Sequence, residues 1–77
     1  MSRKNWQHFF EIYNNDGVKA LRKLAEHNLL LGKRRRLISL CRFAISQNIE
    51  DPFLIRCGIN SLLVIGQEKK AKTLLKI

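Results

Sequence analysis

The chain has 77 residues, of which 15 are Lys or Arg and 6 are Asp or Glu, giving a net charge of +9. This length allows one small domain. The hydrophobic fraction of 45% excludes wholesale disorder, and no apolar run approaches the ~20 residues of a membrane span. The charge either keeps the surface solvated or predicts an anionic partner, which would be nucleic acid, an acidic protein or a membrane face.

The first predicted helix covers residues 3–13, with Ser2 as its N-cap. Its aromatic side chains follow the i, i+3, i+4, i+7 spacing of one helical face, and they are Trp6, Phe9, Phe10 and Tyr13. An exposed stripe of this kind could stack nucleic-acid bases. In so small a domain we expect it instead to be buried against the next helix.

A turn signal at residues 14–17 precedes the second helix, predicted from residue 17 or 18 to residue 31 with Asp16 as its cap. Its apolar residues recur at helical spacing as far as Leu31. Gly32 is expected to take the left-handed conformation that ends many helices.

The third helix is predicted over residues 34–46, with one apolar face formed by Leu37, Leu40, Cys41 and Ala44. Asp51 followed by Pro52 is a start signal for a fourth helix, which runs to about Ile65. After Gly66, a short fifth helix is predicted over residues 68–77. No segment has the alternation of a strand.

The chain also repeats itself at one fixed offset, the one that separates Gly32 from Gly66. At this offset three further residue pairs are identical: Arg22 and Arg56, Leu29 and Leu63, Leu40 and Leu74. Conservative pairs fill much of the remainder, and both copies break at the same glycine. A helix-turn-helix unit with this period, about 34 residues, is one of the known repeat architectures.

In this respect the chain resembles the tetratricopeptide repeat family. Residues 18–51 resemble one repeat, carried by Leu21, Leu24, Ala25, Gly32, Leu37 and Ala44, although Leu37 is larger than the family pattern requires. Residues 52–77 resemble a truncated second copy, in which Ile55, Gly66 and Ala71 fit while Gly58 and Ile59 fit poorly. The resemblance implies an all-α fold, a five-helix stack of hairpins in a short α-solenoid, with residues 1–77 as a single domain and residues 3–13 as its leading helix.

The resemblance further implies that the first helix of each hairpin lines a groove for a peptide or helix of a partner protein. The groove positions would be Lys19, Arg22, Glu26, Leu29, Phe53, Arg56, Asn60 and Leu63. Repeat modules of this kind stack to bury their faces. We therefore expect Leu74, Leu75 and Ile77 either to be covered by self-association or a partner, or to fold back on themselves.

Two basic clusters form a second candidate surface, an anion or nucleic-acid edge of Lys33, Arg34, Arg35, Arg36, Lys69, Lys70 and Lys72. Positive charge at a helix N-terminus opposes the helix dipole, so local folding does not explain the first cluster. Both clusters lie near equivalent turns and could follow phosphates or an acidic protein. No aromatic residues are expected beside them, which does not favour a membrane-surface helix.

No nucleotide-binding, zinc or nucleophile motif occurs in the sequence, and Cys41 and Cys57 lack the spacing of a metal or redox site. We therefore expect no enzymatic activity, no metal and no cofactor, and a reduced cytoplasmic setting. The sequence favours a protein-interaction adaptor or small chaperone-like subunit, in a homo- or hetero-oligomer. The alternative is a small basic nucleic-acid-binding protein that uses the edge at residues 33–36.

Overall fold

The computed structural model describes residues 3–75 and, within them, the side chains of residues 6–73. The described chain forms five α-helices and no strand, so the predicted all-α class is confirmed. The helices are α1 (Arg3–Asp16), α2 (Val18–Leu30), α3 (Arg34–Ser46), α4 (Pro52–Val64) and α5 (Glu68–Leu75).

The period of the sequence reappears in the positions of the helices. α2 begins at Val18 and α4 begins one period later at Pro52, and each spans 13 residues. α3 begins at Arg34 and α5 begins one period later at Glu68. The described chain is therefore a leading helix followed by two helix pairs that start at equivalent positions.

The turns inside the two pairs are built in the same way. Gly32 has φ +69° and Gly66 has φ +81°, a conformation that costs glycine little. The amide of Lys33 donates to the carbonyl of Asn28 at 2.9 Å, and the amide of Gln67 donates to that of Leu62 at 2.8 Å. These are Schellman-type helix ends, and they confirm that the two glycines occupy equivalent bends.

Two predictions about the α1–α2 turn are wrong. α1 does not end at Tyr13, because the helix continues to Asp16, where the amide of Gly17 still reaches the carbonyl of Tyr13 at 2.9 Å. Asp16 does not cap α2, because Gly17 takes the N-cap position at φ +77° with no side-chain cap bond. The chain thus reverses at one glycine instead of across a longer turn.

The ends of the other helices agree with prediction within two residues. Asp51 caps α4 as predicted, and its carboxylate accepts the amide of Leu54. Leu31 was expected on the buried face of α2, but it follows the end of the helix and is exposed, because the chain turns away from the core there. Residues 76 and 77 of the predicted fifth helix lie outside the described residues.

The main hydrophobic core surrounds Phe43, a fully buried residue near the end of α3. The aromatic stripe of α1 packs against this ring, with centroid distances of 5.8 Å for Trp6, 5.5 Å for Phe9 and 4.9 Å for Phe10. The stripe is therefore largely a structural element, although its main aromatic partner is in α3 and not in the next helix. Phe10 keeps part of its ring exposed.

α3 and α4 approach each other closely at the middle of both helices. A Cβ atom added to Gly58 would collide with the side chain of Cys41, so the absence of a side chain in α4 allows the contact. Small residues elsewhere in the core, Ala25, Ala44 and Ala71, are also buried. Ile38 of α3, Leu62 of α4 and Ala71 of α5 form a second, smaller cluster.

Candidate interaction surfaces

The predicted groove positions lie at equivalent places on α2 and α4, which contact each other. We call these positions the α2–α4 surface: Lys19, Arg22, Glu26 and Leu29 on α2, and Phe53, Arg56, Asn60 and Leu63 on α4. Seven of the eight side chains are exposed. Phe53 is half-buried because it packs against the main core.

An ion pair that the sequence reasoning missed joins the two helices. The Nε of Arg22 lies 3.0 Å from both carboxylate oxygens of Asp51, and a terminal guanidinium nitrogen also donates to Oδ1. The Asp51 side chain is only 4% exposed, whereas that of Arg22 is 51% exposed. Hydrogen bonding from Arg22 holds the pKa of Asp51 below its usual value, because it favours the charged carboxylate.

This pair changes the assignment of both residues. Asp51 is a capping residue, as predicted, but its carboxylate also fixes the start of α4 against α2. Arg22 is an exposed groove position whose guanidinium already pairs with a carboxylate of its own chain. Arg56, the equivalent residue on α4, is therefore the groove arginine that is available to a partner. The sequence signals were an acid at the predicted N-cap of α4 and a base one turn into α2.

The seven residues of the predicted anion edge lie in or beside the first turns of α3 and α5. Arg34 is half-buried and the other six are exposed. Among the side chains that the structure describes, no carboxylate lies within ion-pair distance of them. Lys33, at the N-cap of α3, makes no capping bond, and the first turn of α3 contains no acid.

Two exposed apolar triplets, which the sequence reasoning did not identify, lie next to these basic clusters. They end α2 and α4 at positions one period apart, and they consist of Leu29, Leu30, Leu31, Leu63, Val64 and Ile65. Leu30 is 87% exposed and Val64 is 63% exposed. Six large apolar side chains at the surface are more than scattered exposure explains, which makes them a candidate interaction site.

The packing of α3 against α4 brings the triplets and the basic clusters together. Cys41 meets Gly58 and Ile38 clusters with Leu62, so a later position on α3 faces an earlier position on α4 and the two helices run antiparallel. This register places the start of α3 beside the end of α4. We call the resulting surface the apolar–basic end: the two triplets together with Lys33, Arg34, Arg35, Arg36, Lys69, Lys70 and Lys72.

The remaining residues singled out in the sequence are the two cysteines and the predicted association end. Both cysteines are buried free thiols, and burial raises the pKa of Cys41 to about 11 and also raises that of Cys57. The predicted association end falls outside the described side chains, since those of Leu74 and Leu75 are not described and Ile77 lies beyond α5.

Comparison with known proteins provides no relative, because no family model, no curated protein and no solved structure matches this chain. Within residues 3–75, no helix combines the length and the apolar character that crossing a bilayer requires. Function must therefore be inferred from the chemistry of the two surfaces.

Proposed function

We propose that this protein is a non-catalytic interaction module that binds a peptide or a helix of a partner protein along the α2–α4 surface. In this proposal it acts as a small tetratricopeptide-like adaptor or chaperone subunit. The main support is that α2 and α4 have equal length, start one period apart and contact each other. Two neighbouring helices with equivalent exposed positions offer an extended partner two matching rows of side chains.

The chemistry of this surface suits a mixed apolar and acidic peptide. Leu29 and Leu63 are half-exposed apolar residues at equivalent positions, which would receive apolar anchors. Arg56 is exposed, and among the described side chains no carboxylate pairs with it. Asn60, one turn further along α4, would add hydrogen bonds to the backbone of a bound peptide.

A charge reversal on α4 tests the proposal. Arg56→Glu is compared with Lys23→Glu, which makes the same change in net charge at an exposed site outside the α2–α4 surface. Short linear peptides are selected from a display library on the wild-type protein, and their affinities for the three proteins are measured by calorimetry. We expect Arg56→Glu to weaken the selected peptides at least about tenfold and Lys23→Glu to change them little.

Two results would overturn this proposal. One is a selection that yields no peptide binding to the wild type. The other is a set of peptides that bind both variants equally well, which would place their site elsewhere on the molecule. Circular dichroism of both variants shows whether a loss of binding reflects unfolding.

Nucleic-acid binding remains the second candidate, supported by the exposed cations of the predicted anion edge. The aromatic residues do not favour it, because Trp6, Phe9, Phe10 and Tyr13 belong to α1 and Phe43 and Phe53 belong to the core or pack against it, away from that edge. A mobility-shift assay on the Arg34, Arg35 and Arg36 to Ala variant tests it. Under this candidate the wild type shifts duplex DNA at about 10 μM protein and the variant does not.

A further inference from the structure

The apolar–basic end combines a group of projecting apolar side chains with a group of cations. Its six apolar side chains occupy the last turn and cap of α2 and α4, and seven cations lie beside them. Two acids are close in sequence, Glu26 one turn before Leu30 and Glu68 at the start of α5, so the charge of this end remains strongly positive. We propose that this end docks on the surface of an anionic lipid bilayer; it shares only Leu29 and Leu63 with the α2–α4 surface.

The dimensions of the triplets fit this role. One helical turn advances about 5.4 Å, and interfacial segments bury their apolar side chains about 5–10 Å into the headgroup region. Leu30 and Val64 project from the ends of two helices and are mostly exposed, so they do not line a cleft. A soft, flat interface accepts projecting side chains, whereas a folded partner would need cavities matched to each of them.

The charges of this end argue against two other occupants. A second copy packed end to end would bring both sets of cations together, and like charges across an interface cost several kcal/mol. Nucleic acid would pair with the cations, but the aliphatic triplets would gain nothing from phosphates, and the described part of the chain places no Phe, Tyr or Trp there for stacking. Anionic lipid satisfies both components, because long basic side chains reach headgroups while apolar side chains enter the acyl boundary.

The test uses the full chain and phosphatidylcholine vesicles with and without phosphatidylserine, with binding measured by co-sedimentation. We expect binding only when phosphatidylserine is present, and its loss in about 1 M salt, where the screening length is about 3 Å. Leu30→Ser with Val64→Ser removes the two most exposed apolar side chains of the end and lowers partitioning by at least about tenfold. Both positions are exposed, so circular dichroism should remain that of the wild type.

A matched pair of charge variants locates the contact. Arg35→Glu alters the apolar–basic end, and Lys23→Glu makes the same change in net charge near the middle of α2, about 10 Å along the helix from Leu30. At about 1 kcal/mol for each unit of charge at the membrane surface, Arg35→Glu should weaken binding about thirtyfold and Lys23→Glu by less than about threefold.

Other outcomes overturn the proposal. Equal effects of the two charge variants would mean that net charge alone attracts the protein. If the protein binds duplex DNA, loses that binding in Arg35→Glu and does not bind vesicles, the end is assigned to nucleic acid. If sedimentation shows a dimer that becomes a monomer in the Leu30→Ser, Val64→Ser variant, and the protein does not bind vesicles, the end is assigned to self-association.

Discussion

Asp51 is the residue at which a single substitution has the best-defined consequence for stability. Its buried carboxylate caps α4 through the amide of Leu54 and holds the half-exposed Arg22 of α2. Asp51→Ala removes both interactions. Asp51→Asn removes only the charge, because asparagine is as good an N-cap residue as aspartate. Comparison of the two variants therefore separates the cap from the ion pair.

The magnitude follows from these contacts. Loss of an N-cap side chain costs about 1 kcal/mol. An ion pair with one solvent-exposed partner contributes at most about 1 kcal/mol, since water screens the half-exposed guanidinium. We therefore expect Asp51→Asn to cost up to about 1 kcal/mol and Asp51→Ala about 1–2 kcal/mol. For a domain of this size these losses lower the melting temperature by up to about 8 °C and by about 4–16 °C.

Thermal and urea melts followed by circular dichroism measure these losses, with Glu50→Ala as a control for removal of an exposed neighbouring acid. A double-mutant cycle between Asp51→Asn and Arg22→Ala should give a coupling free energy that favours the pair and differs from zero. Because the pKa of Asp51 is lowered in the folded protein, its contribution is present above the unfolded value of about 3.9 and is lost as the pH falls through the folded value. Additive single substitutions, or equal costs for Asp51→Asn and Asp51→Ala, would refute this reasoning.

Three further predictions concern the interior and the turns. Gly58→Ala should lower the melting temperature, although alanine favours a helix by about 1 kcal/mol, because the new Cβ collides with Cys41; a higher melting temperature would contradict the close approach of α3 and α4. Gly66→Ala should cost about 1–2 kcal/mol in a urea melt through its positive φ alone, since no atom lies within 4 Å of the added Cβ, and an unchanged midpoint would argue against the left-handed bend. Burial raises the pKa of Cys41 and Cys57, so both thiols should react slowly with a disulfide reagent at about pH 8 and rapidly in urea; fast labelling of the native protein would contradict their burial. The free energy of unfolding should also fall as the pH rises above the thiol pKa of the unfolded chain, about 8.5, because the unfolded chain then loses protons that the folded chain keeps.

The sequence predicted the helices well because their signals are local. Hydrophobic spacing identified the first three, and the Asp51–Pro52 pair and the two period-related glycines marked boundaries that the structure confirms. The exception was the turn before α2. There the run of Asn and Asp at residues 14–16 suggested a longer break, while Gly17 alone accomplishes the reversal.

The contacts between helices were less predictable because they depend on tertiary geometry. Phe43 was not assigned to the apolar face of α3, yet it is the fully buried ring at the centre of the aromatic cluster. Gly58 fitted the repeat pattern poorly. The structure explains why glycine stands there, because a Cβ atom at this position would collide with Cys41.

The candidate surfaces were predicted only in part for the same reason. The groove positions were implied by the family resemblance and the cations by their clustering in the sequence, and all of them except Phe53 and Arg34 are exposed. Periodicity could not show that the triplets at the ends of α2 and α4 would stay uncovered, because apolar residues in a helical pattern are ordinarily core. The sequence therefore predicted the basic clusters but not the exposed apolar side chains beside them.

The glycine contact between α3 and α4 also determines how the molecule should open. α5 packs chiefly against α4, so this terminal helix can fray while the rest of the fold persists. Separation of α3 from α4, by contrast, would expose residues of both hydrophobic clusters at once. The amides at the middle of these two helices should therefore exchange with solvent only through global unfolding, and their exchange rates would report the stability of the whole domain.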